Sequence, residues 1–415
     1  MLAESSALKR WAAAALIGVG ALILFFTNLA RPTKLVFDET HYVPAARALL
    51  ALTGPANIEH PLLGKILIAA GIYLFGDNSF GWRFFSAIAG VAVILGVFAI
   101  GLLLFGRLRP AIIAAVLAML NFTVFIQARI AMLDGFMAAF LITGIAALMW
   151  AMRGPTIVAP GRLLLAGILL GLATATKWAA APYVAFTCLA ILFVHRRTGW
   201  AGLSGLGQFR AVILLGAASV ATYFITFAPA FFYQTDPMTP GALLPFQLTM
   251  YTQQTQILPP HPYQSSWWTW PLDIRGIWYL FEPVDGAVRG ILLVGNPVIM
   301  WGGLVAVLAC LEGYARDKAV PLLVTAILWI ASFSVWIIIP KKIGFFYYYY
   351  LPSIFLCLAL AAALDHFGKR KLKNLDIAFS AVSLGVFAYF LPIISAEAMP
   401  DPQVFVRWLW LPSWA

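Results

Sequence analysis

Apolar runs of about 20 residues recur from one end of this chain to the other, the length an α-helix needs to cross the hydrocarbon core of a bilayer. Within lipid no water satisfies backbone N–H and C=O groups, so a spanning chain forms helices or a closed barrel. The runs are continuous rather than alternating, which selects helices. Of 415 residues, 62% are hydrophobic and 10% charged. A soluble domain carries about 25% charged residues and has nowhere to bury so much apolar surface. The sequence predicts eleven spans: 11–30, 83–105, 110–127, 131–152, 162–177, 180–195, 210–231, 288–311, 319–339, 345–364 and 375–394. Lys177 and Pro182 argue for a turn between the short fifth and sixth spans. The stretch after Lys9 and Arg10 resembles a signal peptide, but it is longer than an h-region and lacks a clear A-x-A site, so it reads as an uncleaved first span.

The net charge of +11 acquires its meaning from this layout. With the N-terminus in the cytoplasm, 15 basic and five acidic residues fall inside, 12 and 11 outside. Every short inner loop then carries at least two of the basic residues that set orientation. The charge is accordingly a topology signal, and no nucleic-acid partner is expected. The three cysteines, Cys188, Cys310 and Cys357, lie in apolar segments without C-x-x-C spacing and read as small buried hydrophobes.

The whole chain, 1–415, reads as a single transmembrane domain with two long outer segments, 31–82 and 232–287. Long loops in compact proteins are functional or disordered. The first contains an amphipathic piece, Pro61 to Phe75, suited to the interface, and the second is crowded with Pro, Gln and Trp.

Ionisable groups at membrane depth are costly and therefore functional candidates. Asp38 and Glu39 follow the first span, and neighbouring carboxylates on an extended chain point to opposite sides. One can face a substrate; equally, Asp38 can be the N-cap of a helix-like stretch at 42–52. His60 and Lys65 lie in His60-Pro61-Leu62-Leu63-Gly64-Lys65, read either as a site or as a helix start with a snorkelling lysine. Arg83 opens the second span, as a ligand or as an interfacial anchor. Arg129 and Asp134 are five apart and can pair with each other. Lys177 stands at the fifth-to-sixth turn, and Lys341 and Lys342 at the outer end of the tenth span. Together they place carboxylates, histidines and cations at one face. Arginine and lysine suit a phosphate, and a carboxylate suits proton removal from a hydroxyl. There is no D-x-D, H-E-x-x-H or Walker loop, which argues against a zinc protease, an ATP-driven pump and a metal-dependent nucleotide-sugar enzyme.

At these residues the sequence resembles the bacterial protein O-mannosyltransferases of the GT-C glycosyltransferases. The likeness runs in order through Phe37-Asp38-Glu39-Thr40-His41-Tyr42-Val43, the His60–Lys65 block, Phe75-Gly76-Asp77-Asn78-Ser79-Phe80-Gly81-Trp82-Arg83, Ala128–Asp134 and Ala175–Trp178. It continues through His261-Pro262-Tyr263-Gln264-Ser265, Trp270-Pro271-Leu272 and Gly295-Asn296-Pro297-Val298. It implies an all-α polytopic bundle of about eleven helices, multi-pass in a bacterial inner membrane, with an outward-facing site beneath the first long loop. It also implies inverting transfer of mannose from a polyprenyl-phosphate carrier to Ser or Thr of exported, unfolded protein, with membrane lipids as surroundings and no metal or other cofactor. Asp38 becomes the expected base and Glu39 its neighbour shaping the site. Arg83 is expected at the donor phosphate. Lys65, Arg129 and Lys177 are expected at the phosphate or in ordering loops, and His60, Asp134 and His261 are drawn in as substrate-binding. Lys341 and Lys342 are added on charge alone. Leu62 replaces the family's usual second proline, and the second loop is too short for a large luminal domain, which leaves a lipid or surface-glycan acceptor as the alternative. A lipid-sugar flippase fits less well, because its site belongs near the midplane between repeats and no repeat is present.

Overall fold

The computed structural model of the chain describes residues 6–194, 202–257, 259–339, 341, 343–371 and 374–415. In chain order the helices are α1 (Ala7–Phe26), α2 (Glu39–Leu50), α3 (Leu63–Phe75), α4 (Ser79–Phe105), α5 (Leu108–Met119), α6 (Phe122–Gln127), α7 (Leu133–Arg153), α8 (Ala159–Thr176), α9 (Ala181–Leu189), α10 (Gln208–Ile225) and α11 (Leu243–Gln254). A hairpin of β1 (Ile277–Val284) and β2 (Ala287–Leu293) follows, then α12 (Pro297–Asp317), α13 (Val320–Ile338), α14 (Tyr350–Lys371) and α15 (Leu375–Ile394). Among the described residues nine helices are long and apolar enough to cross a membrane.

Three predicted spans are corrected. The span 110–127 is two helices, because Asn121 breaks the run: its Oδ1 accepts from Thr123 N–H at 3.2 Å and its Nδ2 donates to the Ser353 carbonyl. The span 180–195 is a shorter apolar helix, Trp178–Phe193. The span 288–311 begins at Pro297, since 287–293 is β2, paired antiparallel with β1 from Ile277↔Leu293 to Val284↔Ala287. The turn is Asp285-Gly286, both with positive φ (51° and 74°), the backbone a two-residue hairpin demands.

The chain divides into two compact units. One comprises 38–96 and 130–257. Here α8 packs against α7 and α10, and Gly167 and Gly171 let it close on α10: a Cβ would stand 2.7 Å from the Leu215 carbonyl oxygen at the first and 2.5 Å from that of Ser219 at the second. Leu163, Leu170, Ile191 and Leu215 are buried in one core of this unit. A second core, Leu49, Leu62, Tyr223, Phe227, Tyr233 and Met250, joins the two long loops. Gln234 N–H donates to the Leu52 carbonyl at 2.8 Å, and Gln254 Nε2 to that of Glu59 at 2.7 Å. The predicted outer segments thus lie together.

The other unit comprises 1–37, 97–129 and 258–415, with α14 packed on α5, α12 and α13. Arg109 pairs with Asp376 at 2.6 Å, and Arg107 with Asp365. Lys34 pairs with Glu282 at 2.8 Å, and Thr33 with Asp285. Each pair joins loops that the sequence assigns to one face. Cys310 and Cys357 are buried thiols and Cys188 is partly exposed.

In the first unit α3 closes tightly on α4, where a Cβ at Gly71 would overlap the Gly81 carbonyl oxygen. Gly71→Ala is therefore expected to cost about 1–3 kcal/mol through forced overlap. Gly216→Ala, in the α10 interior with open space around it, should leave the melting temperature unchanged or raised. Thermal unfolding in detergent distinguishes them, and equal effects would contradict this packing.

Candidate active site

The Gly-Trp-Arg block is built to aim one arginine. Asp77 accepts from Arg47 Nε at 2.8 Å and from Trp82 Nε1 at 2.7 Å. Asn78 Oδ1 accepts from the Phe80 and Gly81 amides at 3.0 and 3.1 Å, satisfying free N–H groups at the start of α4. One turn further, Arg83 points inward and is fully buried.

Its partner is Glu39, also fully buried in the first turn of α2. Arg83 Nε donates to Glu39 Oε1 and Nη2 to Oε2, both at 2.8 Å, a two-pronged charge-assisted pair. Glu39 Oε1 also accepts from Ala131 N–H at 2.8 Å. The carboxylate thus ties α2, α4 and the segment entering α7. The interfacial-anchor reading of Arg83 is replaced: the side chain is fully buried, with Nε and Nη2 on Glu39.

Asp38 precedes Glu39 with helical backbone angles (φ −69°, ψ −7°), and its side chain makes no capping bond. Asp38 thus stands at the N-cap position, its carbonyl accepting from the Tyr42 amide at 3.0 Å, while its side chain is not used for capping. Asp38 is half-buried, and its carboxylate accepts from Tyr42 Oη at 3.3 Å. Burial pushes the carboxyl above the ordinary carboxylate range, as does Asp134, while Lys177, His41 and Tyr42 pull it down. Tyr42 lies in the Phe37–Val43 block, and sequence reasoning alone gives it no role. Its spacing of four residues from Asp38 on a helix was the available signal.

Asp134 and Lys177 form a second buried ion pair, Lys177 Nζ donating to Oδ1 at 3.0 Å and to Oδ2 at 2.8 Å. Asp134 is in the first turn of α7 and Lys177 caps the end of α8, so each charge occupies the helix end that favours its sign. The expected Arg129–Asp134 pairing is replaced. Arg129 Nη1 donates to the carbonyls of Phe25 and Thr27 at 3.0 and 2.5 Å, and Nη2 to Asn28 at 3.3 Å, closing the end of α1.

Lys65 is likewise turned to structure. Nζ donates to the carbonyls of Ala56, Asn57 and His60 at 3.2, 2.8 and 2.9 Å, folding the loop before α3 around itself. Burial pulls this amine down to about 7, opposed by Glu59. His60 stands edge-on to Tyr42, ring centroids 5.9 Å apart. A cavity of about 190 Å³ opens beside the loop, lined in part by His60, Lys65, Phe227 and Phe246.

One unit therefore gathers Asp38, Glu39, His60, Lys65, Arg83, Asp134 and Lys177. Arg129, His261 and Lys341 belong to the other. There His261 is exposed, its Nδ1 accepting from Tyr263 N–H, with its ring against Phe345. Lys341 is exposed, and Lys342 lies outside the described residues. Among the described residues no group of three or more His, Cys, Asp or Glu side chains has the arrangement of a metal site.

Comparison with known proteins agrees over nearly the whole length. Residues 73–233 match the family described as dolichyl-phosphate-mannose-protein mannosyltransferase, and 241–414 match the C-terminal four-transmembrane region of protein O-mannosyltransferase. A polyprenol-phosphate-mannose–protein mannosyltransferase of Mycolicibacterium smegmatis is 29% identical over 97% of this chain and 93% of its own. Its counterpart in Mycobacterium tuberculosis is 28% identical over 98% and 92%. Among solved structures, the Saccharomyces cerevisiae protein O-mannosyltransferase Pmt1-Pmt2 complex bound to the sugar donor shares the fold with a TM-score of 0.81 at 15% identity, over 99% of this chain and 93% of that one. ArnT from Cupriavidus metallidurans bound to undecaprenyl phosphate is more distant, with a TM-score of 0.58 at 17% identity over 92% and 63%. This multi-pass membrane protein belongs to the protein O-mannosyltransferase family.

Proposed function

We propose that the chain transfers mannose, with inversion, from a polyprenyl-phosphate carrier to Ser or Thr hydroxyls of exported proteins. One observation carries this reading: Asp38 is held beside the buried Glu39–Arg83 pair, yet its own carboxylate is spent neither on that pair nor on capping α2. The relatives' names supply the donor and acceptor. Arabinosyl transferases using undecaprenyl-phosphate carriers match only 28–53% of the chain, against 96–98% for the protein mannosyltransferases, which favours a protein acceptor.

In the proposed step Asp38 takes the proton of the acceptor hydroxyl as that oxygen bonds to the anomeric carbon. The bond from that carbon to the carrier phosphate breaks, and its electron pair leaves on the phosphate. A phosphate is already a stable anion, so no general acid is called for, and the reading is metal-independent. Glu39 and Arg83 act as positioning residues, a change from the expected phosphate contact for Arg83. The site faces away from the cytoplasm in a bacterial inner membrane, with the N-terminus inside and the C-terminus outside. The basic excess on the inner loops supports this orientation, as do the hydrogen bonds from Gln234 and Gln254 of the segment 232–287 to Leu52 and Glu59 of the segment 31–82.

Asp38→Asn is expected to lower transfer from a synthetic lipid donor to an acceptor peptide by about 10²–10⁴-fold, the usual worth of a positioned base. Full activity would remove Asp38 from the reaction. The raised carboxyl also fixes the sign of two pH effects. Activity falls as pH drops through the raised value. Stability behaves oppositely: the ionised group in the folded state carries a cost that disappears on protonation. Asp38→Asn should therefore be at least as stable as wild type at pH 7, an advantage that shrinks as pH falls toward the ordinary carboxylate range.

Arg83→Met leaves Glu39 buried without its cation and is expected to cost about 3–5 kcal/mol of stability. Arg83→Lys should recover this only in part, because an ammonium cannot reproduce the two-pronged geometry. Thermal unfolding with donor-dependence kinetics separates the roles. A stable Arg83→Met protein with weakened donor use alone would restore the phosphate assignment.

A further inference from the structure

Helix α11 carries an apolar face that the described residues leave uncovered. We propose that α11 lies along the bilayer surface, with Leu244, Leu248 and Tyr251 inserted among the lipids of the leaflet in which α10 ends. The inference concerns the membrane alone and is independent of the proposed chemistry.

Residues three and four apart share a helix face, so Leu244, Leu248 and Tyr251 form one stripe. They are 66%, 71% and 59% exposed. Thr249 and Thr252 lie on a second exposed face beside it. The remaining face is packed: Met250 is fully buried, and Leu243 and Phe246 pack with it in the core that holds Tyr223 and Phe227. A helix between core and water needs only a packed face and a polar one. The additional apolar face is what a helix at a lipid–water boundary requires. From Pro237 to Pro260 the sequence has no Asp, Glu, Lys, Arg or His, whereas the open side of a helix in water is ordinarily charged.

Packing against α10 fixes the depth. That helix belongs to an apolar stretch, Gln208–Phe232, long enough to cross a membrane. Ile225 and Phe232 on it are each 70% exposed, as lipid-facing side chains are. Beyond Phe232 the chain turns back, and Met238 N–H donates to the Ala230 carbonyl at 2.9 Å. Helix α11 then docks on still earlier residues. Tyr223 Oη donates to Gln247 Oε1, and Phe246 stands edge-on to Phe227 with ring centroids 6.2 Å apart. Phe227 lies about 7.5 Å inside the end of the stretch at 1.5 Å per residue. Interfacial helices bury their apolar face to about that depth. With 12 residues α11 reaches about 18 Å, too short to cross. Tyrosine is favoured at such a boundary. At the far end of α11, Gln254 holds the Glu59 carbonyl, so lipid contact also braces the loop before α3.

The test uses full-length Cys188→Ala protein in nanodiscs of phosphatidylethanolamine and phosphatidylglycerol, leaving only buried native thiols. The fluorophore NBD is attached to one introduced cysteine at a time. At Leu244→Cys, Leu248→Cys and Tyr251→Cys its emission should be shifted to the blue, quenched by nitroxide on lipid acyl chains and insensitive to aqueous iodide, as at the reference Ile225→Cys. At Thr249→Cys and Thr252→Cys it should be quenched by iodide instead. Equal iodide quenching on both faces would place the stripe in water and overturn the inference. Lipid quenching lost on adding acceptor peptide would also overturn it, by making the stripe a peptide-docking face. Shielding from iodide and lipid nitroxide alike would do the same, by marking a second copy or another protein as the occupant.

Discussion

Glu39 and Arg83, both wholly shielded from solvent, form the interaction on which the arrangement around Asp38 depends. Removing two charges from water is expensive, and their attraction offsets that cost only when the geometry is good and remaining hydrogen-bonding capacity is used. Both conditions hold. The guanidinium meets the carboxylate with two bonds, and the same carboxylate takes the Ala131 amide. Three chain segments far apart in sequence are thereby fixed around one anion. Asp38, one residue away, inherits a fixed backbone without lending its own side chain to the framework.

Several cations near the long loops are used in the same way. Lys65 draws a loop around itself through three carbonyls, Arg129 closes the end of α1, and Lys177 is matched to Asp134. A chain with so few charged residues spends them on joints that apolar packing alone would leave undirected. Hydrophobic contact is non-directional, and the bilayer offers little preference of helix for helix, so polar joints carry much of the specificity. The polar links in the other unit do similar work at the loop ends, from Arg109–Asp376 to Lys34–Glu282.

Much of this was legible in the sequence. Apolar length gave the long helices, and the two long segments between them stood out by their length and by their acidic, histidine-containing and aromatic blocks. Partner choice was less legible, because it depends on three-dimensional proximity rather than spacing. Arg129 and Asp134 look like a pair only until α8 brings Lys177 to the start of α7. That Arg83 pairs with Glu39, 44 residues away, is likewise invisible in the spacing. The hairpin at 277–293 hid inside an apolar run, although its Asp285-Gly286 turn carries the sequence signature of a two-residue loop. Asn121 similarly divides an apolar stretch, by capping the helix that follows.

The account requires that the Asp38 segment face away from the cytoplasm. His41, exposed and three residues from Asp38, reports on that directly. The native thiols are two buried and one partly exposed, so background labelling is low. A His41→Cys protein in intact spheroplasts should react with a membrane-impermeant maleimide added from outside. Reaction only after the membrane is inverted or opened would place Asp38 in the cytosol and contradict the account.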